Sequence, residues 1–457
     1  MKAIILAAGQ SNRVKPIKDK NFLSFCGKYL IEWQLDTLID AGIREFVIVG
    51  NKDNLEILKE FSDIVEFVNA GVGQAYTVGE PGEDEVYIRV IEQEIETHGK
   101  GMAGAVLACE KACSGQPVLI VSSNDVVDAE AYKDILAQKD AGAGALLGYE
   151  VPEYFPGGYL NLGDSNKIEG IVEKPGEGNE PSNYVNIVVH LHNNYDVLLE
   201  ALKTAETEKD DHYEVALDSL FKEKEFTMVP YTGFWQPLKF PWHVHELNRY
   251  FLKKRRQALE GNDNYEVRGD ALIHKTVEIA ESATIKGEVI IEEDVKIFEN
   301  AVIKGPAYLE EGCVVANQAL FRDSFAGQKC VVGFATEIAR SHLGDDVWTH
   351  SNYIGDSIIG SNVSFGAGAI TANLRLDEGD IKWQGKSTGQ NKLGIVTGDH
   401  IRVGVQTCLM PGIAIGSNSM IGGGITVSED IAENEFVYGK TELIRKENKI
   451  DVSNLLR

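Results

Sequence analysis

Three things are scarce in this chain, and each scarcity excludes something. No stretch approaches the roughly 20 consecutive apolar residues of a membrane helix, so no span is expected. Basic residues fall short of acidic ones, 44 Lys and Arg against 70 Asp and Glu, leaving a net charge of −26. That balance argues against tight binding to nucleic acid or an anionic membrane, both of which reward clustered cations. An acidic chain that handles phosphates must do so at locally basic pockets or through metal. Cysteine is sparse: Cys26, Cys109, Cys113, Cys313, Cys330 and Cys408 are scattered, with no metal-ligand spacing beyond one weak pair at 109 and 113. Free thiols in a reducing compartment are expected. The opening Met1-Lys2-Ala3-Ile4-Ile5-Leu6 turns to glycine and polar residues too soon for a secretory leader, so a cytoplasmic location is expected.

What is present is enough apolar residue, 43% of 457, for more than one core. Over residues 1–235 short apolar runs alternate with amphipathic segments. Ala3 to Leu6, Phe46 to Val49, Pro117 to Ser122 and Gly144 to Tyr149 read as strands. Ile31, Leu35 and Leu38 recur at helical spacing up to Gly42. This alternation predicts an α/β domain with a mainly parallel sheet, whose ligands bind beyond the carboxyl ends of the strands. Residues 236–264 read as a helical arm between domains, with the basic run at 253–256 as a solvated face.

From about residue 270 the period changes to six. Val277, Ala283, Val289, Val295, Ala301, Ala307, Cys313 and Ala319 form one register, and Ile279, Ile285, Ile291, Ile297, Ile303, Leu309 and Val315 a second, two places on. Two inward residues per six describe a short strand and a turn, stacked as a hexapeptide β-helix. It is expected over 265–431, with Leu374 to Leu393 as an external loop and 432–457 as a tail.

Leu6-Ala7-Ala8-Gly9-Gln10-Ser11-Asn12-Arg13, then Lys20, has a physical logic. A strand entering a small-residue turn brings backbone N–H groups to a polyphosphate, and two fixed cations offset its charge. With Gly27-Lys28-Tyr29-Leu30-Ile31, this stretch resembles the sugar-1-phosphate nucleotidylyltransferases, over most of residues 1–250. The resemblance implies a Rossmann-like nucleotidyltransferase domain using Mg²⁺, a nucleoside triphosphate (UTP) and a sugar 1-phosphate. It places Leu6, Ala7, Ala8, Gly9, Arg13, Lys20, Gly101 and Met102 on the nucleotide, with Arg13 and Lys20 catalytic. Asp125 becomes the Mg²⁺ ligand, and Gly158, Glu173, Lys174 and Asn186 hold the sugar phosphate. The family's W-x-D, whose Asp is a second metal ligand, stands here as Trp235-Gln236-Pro237, followed by Leu238-Lys239.

Thr349-His350-Ser351-Asn352-Tyr353-Ile354-Gly355-Asp356 resembles the H-x-x-Y-[LI]-G-D of the acetyltransferase half of bifunctional N-acetylglucosamine-1-phosphate uridylyltransferases. Ala372-Asn373-Leu374-Arg375 is similar to a segment of the archaeal-type bifunctional enzymes. The resemblance implies a left-handed parallel β-helix, a homotrimer, acetyl-CoA as acyl donor, and His350 as the base that takes the amine's proton. It puts Arg322, Tyr353, Ser364, Asn373 and Lys392 in the acetyl-transfer site. Two other readings remain open: a monofunctional nucleotidylyltransferase whose β-helix only trimerises, or an acetyltransferase with a degenerate nucleotide domain.

Overall fold

A computed structural model describes residues 1–58, 68–69, 75–78, 86–209, 211–440, 442–450 and 453. It divides into two compact units, Met1–Arg255 and Arg256–Arg457.

In the first unit, strand Lys2–Leu6 has parallel partners on both sides. Glu45–Gly50 sets Val47 beside Ile4, and Val118–Ser122 sets Ile120 there. Ala3, Ile4 and Ile5 are buried, as a strand covered on both faces requires. Val86–Glu92 extends the parallel series beyond Glu45–Gly50. On the other side the order turns antiparallel, because Tyr184–His192 runs against both Val118–Ser122 and Gly144–Glu150. Helix Leu30–Asp40 buries Ile31, Leu35 and Leu38, and the chain then turns at Gly42, whose φ of +95° favours glycine.

Helix His243–Ala258 corrects the reading of a free arm, since most of it lies inside the first unit. Val244, Leu247, Phe251 and Leu252 are buried. The Phe251 ring lies 5.0 Å from that of Trp33 and 5.1 Å from that of Phe25. Nor is the basic run wholly solvated: Lys254 pairs with Asp128 at 3.0 Å.

In the second unit the chain visits three parallel sheets in turn. Ala271 lies beside Val289 and Val289 beside Ala307; Ile279, Ile297 and Val315 form a second series, and Ile285, Ile303 and Phe321 a third. Each step is 18 residues, three hexapeptides, the separation that also joins Asp294 to Thr276. Both predicted registers enter one core, from Val289 and Ile291 to Ala319. Val277, Ile279, Ala283 and Ile285 are only partly buried, because they lie in or just before strands Glu278–Ile279 and Thr284–Lys286, the first of their sheets, which have a neighbour on one side only. Asp294, Asn300 and Gln318 hold φ of 55°, 61° and 61°, a left-handed turn that short polar side chains tolerate best.

Two boundaries move. Phe436–Val437 pairs with Met420–Ile421, so the coil passes the expected end at 431; residues 441, 451–452 and 454–457 of the expected tail lie outside the described residues. The segment from Leu374 to Leu393 is not simply external. It forms a hairpin of Lys382–Trp383 and Lys386–Ser387, and buries Ile381 and Trp383. At Gly412 a side chain would meet the Lys382 carbonyl at 2.5 Å, so only glycine admits the hairpin there.

If helix His243–Ala258 is part of the first core, Phe251→Ala should destabilise that unit by about 3–5 kcal/mol. Denaturant unfolding followed by Trp fluorescence will measure this; a change below about 1 kcal/mol would restore the free arm.

Candidate functional site

Because Lys2–Leu6 and Val118–Ser122 are adjacent and parallel, Leu6 lies beside Ser122 and their carboxyl ends open at one place. Everything after Leu6 is pinned there. Ala7 donates its N–H to Val49 O at 2.9 Å. The Ala7 carbonyl accepts from Asn21 Nδ2 at 3.1 Å and Asn54 Nδ2 at 2.9 Å, and Ala8 O from Asn51 Nδ2 at 3.1 Å. Asn21 in turn accepts from Ser123 Oγ at 2.6 Å, tying the loop after the first strand to the loop after its neighbour. These three asparagines carry no motif of their own, and sequence reasoning passed over them. Gly9 has nothing within 4 Å of where a Cβ would stand, and Arg13 is exposed. Lys20 opens a short 3₁₀ turn capped by Asp19, and its N–H donates to Ser11 Oγ at 3.2 Å. Burial pushes the Lys20 ammonium down to about 8, against the upward pull of the Asp125 and Asp19 carboxylates.

Asp125 begins strand Asp125–Val127, which pairs antiparallel with Trp235–Pro237 so that Pro237 stands directly opposite Asp125. Gln34 Nε2 holds the Asp125 carbonyl at 2.8 Å. The carboxylate is buried, and its Oδ1 makes no hydrogen bond. Burial raises its pKa, while the charges of Lys239 and Lys20 oppose the rise. Among the described residues no group of three or more His, Cys, Asp or Glu could hold a metal ion. A single orphaned carboxylate oxygen does fit a Mg²⁺ that takes its remaining ligands from phosphates and water; a site of two protein carboxylates does not fit, because Pro237 has no ligating side chain.

Gly158 lies in register with Glu173, and a Cβ on it would meet Glu173 Oε2 at 3.2 Å. Lys174 pairs with Glu173 at 2.5 Å. Asn186 Oδ1 accepts from His190 Nε2 at 2.8 Å, while His190 Nδ1 bonds Tyr213 Oη at 2.9 Å. Burial drives His190 down to about 3, so the ring is neutral. Glu214, which sequence reasoning missed, is pushed up to about 7 by burial, with the Glu173 carboxylate adding to the rise. Gly101 and Met102 open helix Gly101–Leu107, whose entry is held by Gln93 Nε2 on Gly99 O and Gly101 O at 2.9 and 3.0 Å.

On the coil, His350 is exposed on the turn before Tyr353. Its backbone N–H is fixed by Asn352 Oδ1 at 2.5 Å, and the buried Asn352 donates to Gly366 O and Ala369 O, each at 2.9 Å. Asn373 Nδ2 reaches Tyr353 Oη at 3.3 Å and also bonds Asp356. Leu374 bridges to Lys392, which brings that lysine alongside Asn373. Arg340, near Tyr353, is committed to Asp356 through bonds of 2.6 and 2.7 Å, and Asp356 raises its already high pKa further. Arg322 is drawn onto Glu337 at 2.7 Å, two coils from Gly355 in the same sheet. Ser364 lies on a different sheet from Tyr353, between Trp348 and Arg402, because the chain passes through Ile358–Ile359 on another sheet between Gly355 and Ser364.

Fold and site together define the class. Residues 2–236 match the family described as nucleotidyl transferase, and residues 267–363 match the GMPPB C-terminal domain. Relatives extend over nearly the whole chain. The bifunctional protein GlmU of Methanococcus maripaludis (strain C7) is 33% identical over 453 residues, 97% of this chain and 98% of that protein. That of Methanocaldococcus jannaschii is 31% identical, over 98% of this chain and 100% of that protein. The bifunctional sugar-1-phosphate nucleotidylyltransferase/acetyltransferase of Sulfurisphaera tokodaii is 29% identical over 95% and 99%. The chain belongs to this family of GlmU-type bifunctional enzymes.

The lowered pKa of Lys20 has a measurable consequence. At pH 8.5 the free ammonium is largely deprotonated, and a bound polyanion will raise its pKa and recapture the proton. Calorimetry of UTP binding in buffers of different ionisation enthalpy should show the native chain taking up more protons than Lys20→Met at pH 8.5. At pH 6.5 the two should agree. Equal uptake at both pH values would place the polyphosphate away from Lys20.

Proposed function

We propose that the first unit transfers a uridylyl group from UTP to N-acetylglucosamine 1-phosphate, and that the second N-acetylates glucosamine 1-phosphate with acetyl-CoA. The observation that carries the reading is the convergence of Lys20, a loop whose Ala7 and Ala8 carbonyls are held by three asparagines, and the orphaned Asp125 oxygen at two adjacent strand ends. A sugar-phosphate oxygen attacks the α-phosphorus, and the bond to the departing pyrophosphate breaks. The chain's work is positioning and charge neutralisation. Arg13 and Lys20 attract the pyrophosphate and transferring phosphate; Glu173, Lys174 and Asn186 orient the sugar phosphate. Asp125 would hold a Mg²⁺, which supplies charge neutralisation on the phosphates.

In the second unit, which we read as a left-handed β-helix, His350 accepts the proton that the amine loses on attacking the thioester. Tyr353 and Asn373, already bonded to each other, line the acceptor side, with Lys392 for its phosphate. We further read the assembly as a homotrimer. Trp348, Met420 and Phe436 lie along one sheet, with Ser364 and Arg402 between the first two, and are 50%, 51% and 59% exposed, apolar groups suited to contact with a second copy. The enzyme is expected to work in the cytoplasm, where its six cysteines, none in a disulfide, stay reduced.

Two variants separate the activities. Lys20→Ala should lower nucleotidyl transfer by on the order of 10²-fold or more and leave acetyl transfer intact. His350→Ala should lower acetyl transfer by roughly 10²–10⁴-fold and leave nucleotidyl transfer intact. Equal acetylation by the native chain and His350→Ala would reduce the coil to a scaffold. Light scattering should give three times the chain mass, and Met420→Glu with Trp348→Glu should dissociate it; a native monomer at micromolar concentration would contradict the trimer.

A further inference from the structure

Successive coils stack corner on corner, so a corner residue meets its counterparts one coil before and one coil after. At the corner that follows Tyr353–Gly355 this column reads Arg340, Asp356, Asn373. Gly355 lies beside Ala339 and Ile354 beside Thr371, which sets Asp356 between the other two. The Asp356 backbone is pinned on both sides. Its N–H donates to Ala339 O at 2.9 Å, and its carbonyl accepts from the Gly394 N–H at 2.7 Å. Its carboxylate is buried and shared between the neighbouring coils. Arg340 donates from Nε to Oδ1 at 2.6 Å and from Nη2 to Oδ2 at 2.7 Å, while Asn373 Nδ2 donates to Oδ2. Gly355 makes room for the cluster. A Cβ there would meet Tyr353 Oη at 2.6 Å and Asn373 Nδ2 at 2.9 Å, so only glycine lets those two side chains join above it.

An ionised carboxylate only accepts hydrogen bonds. Asn373 must therefore turn its NH2 toward Asp356, and Nδ2 also reaches Tyr353 Oη at 3.3 Å. With both amide hydrogens committed, a ligand touching this amide can meet only Oδ1. Tyr353 accepts from the amide, which leaves its own hydrogen to give. We propose that Asp356 is a positioning residue of the acetyl-transfer site: it fixes Asn373 as a hydrogen-bond acceptor and Tyr353 as a donor, so that the site selects a sugar phosphate bearing an amine. This deepens the proposed acetyl transfer and rests on it. An amine offers an N–H to Oδ1, whereas a sugar without one leaves that oxygen unpaired, which weakens binding. Arg340 has a part in the same device. A buried carboxylate without a cation would take up a proton, and could then donate to Asn373 and reverse its amide. The bonds made and broken are those of the transfer itself, and Asp356 exchanges no proton in it.

The test compares two sugar phosphates that differ at one group. Glucosamine 1-phosphate is acetylated from acetyl-CoA, and 2-deoxyglucose 1-phosphate, which lacks the amine, serves as a competitive inhibitor. In Asp356→Asn, Arg340 can only donate and will claim the one remaining oxygen, turning the new NH2 toward Asn373 and reversing its amide. The KM for glucosamine 1-phosphate should rise about 10-fold, while the inhibition constant of the deoxy sugar and the KM for acetyl-CoA stay unchanged. In an Asn373→Ala background the same substitution should add nothing to the KM. Circular dichroism will report the fold. If the single variant does not fold, Arg340→Ala with Asp356→Asn leaves no charge unpaired and frees Asn373 to face either way, so the same selective rise is expected. An unchanged KM, or a KM and inhibition constant that rise together, would overturn the role of Asp356 and leave the acetyl transfer standing. A native chain that acetylates no amino-sugar phosphate would instead sink the acetyl transfer, and the role of Asp356 with it.

Discussion

The first unit is organised around a buried carboxylate with one oxygen that no hydrogen bond satisfies. Asp125 is buried at a strand end with one oxygen lacking a partner, an arrangement that disfavours its charged form. What keeps it viable is the pair of ammoniums, Lys20 and Lys239, each itself held in an environment that disfavours its charge. The carboxylate supports each ammonium while the two ammoniums oppose one another, and a phosphate ligand would relieve both cations together. The asparagines at 21, 51 and 54 exist in this structure to hold the Lys20 side of that arrangement, and the pairing of Trp235–Pro237 with Asp125–Val127 holds the Lys239 side.

The second unit solves a different problem by repetition. No single turn of six residues can bury its own two inward side chains, so stability comes from stacking like on like through steps of mostly 16 to 18 residues. Such a coil is rigid enough to present side chains on its corners without a surrounding domain. His350 is an instance. It sits at a corner, exposed, with its backbone clamped by the buried Asn352 rather than by any element of its own. Where the repeat is interrupted, the interruption is itself packed: the hairpin after Leu374 carries Trp383 inward and brings Lys392 back beside Asn373.

Much of this was legible in the sequence because it is periodic or local. The six-residue registers named the inward side chains of the coil, and the helix over 30–40 followed from Ile31, Leu35 and Leu38. The loop from Leu6 to Arg13 could be placed at a strand end because apolar runs announce parallel strands. Long-range pairing was not legible. That Pro237 faces Asp125, that Asn21 reaches Ser123 and that Arg340 is neutralised by Asp356 depend on register between distant segments, which no spacing encodes. Helix 243–258 misled for a related reason: an apolar face tells that a helix packs, not against what. Nor does matching a motif in order tell which of the three sheets a residue such as Ser364 falls on.

The central claim is that a pocket with Pro237 opposite Asp125, and with Lys20 and Lys239 offsetting that carboxylate, is a working nucleotidyl-transfer site. The most direct measurement is a single-turnover assay of the native chain with α-labelled UTP, Mg²⁺ and a panel of amino-sugar and N-acetylamino-sugar 1-phosphates. The account predicts release of pyrophosphate stoichiometric with a labelled nucleotide sugar, dependent on one of those sugar phosphates. Absence of any nucleotide sugar across the panel, from a chain shown to bind UTP, would contradict it and leave the first unit as a binding domain.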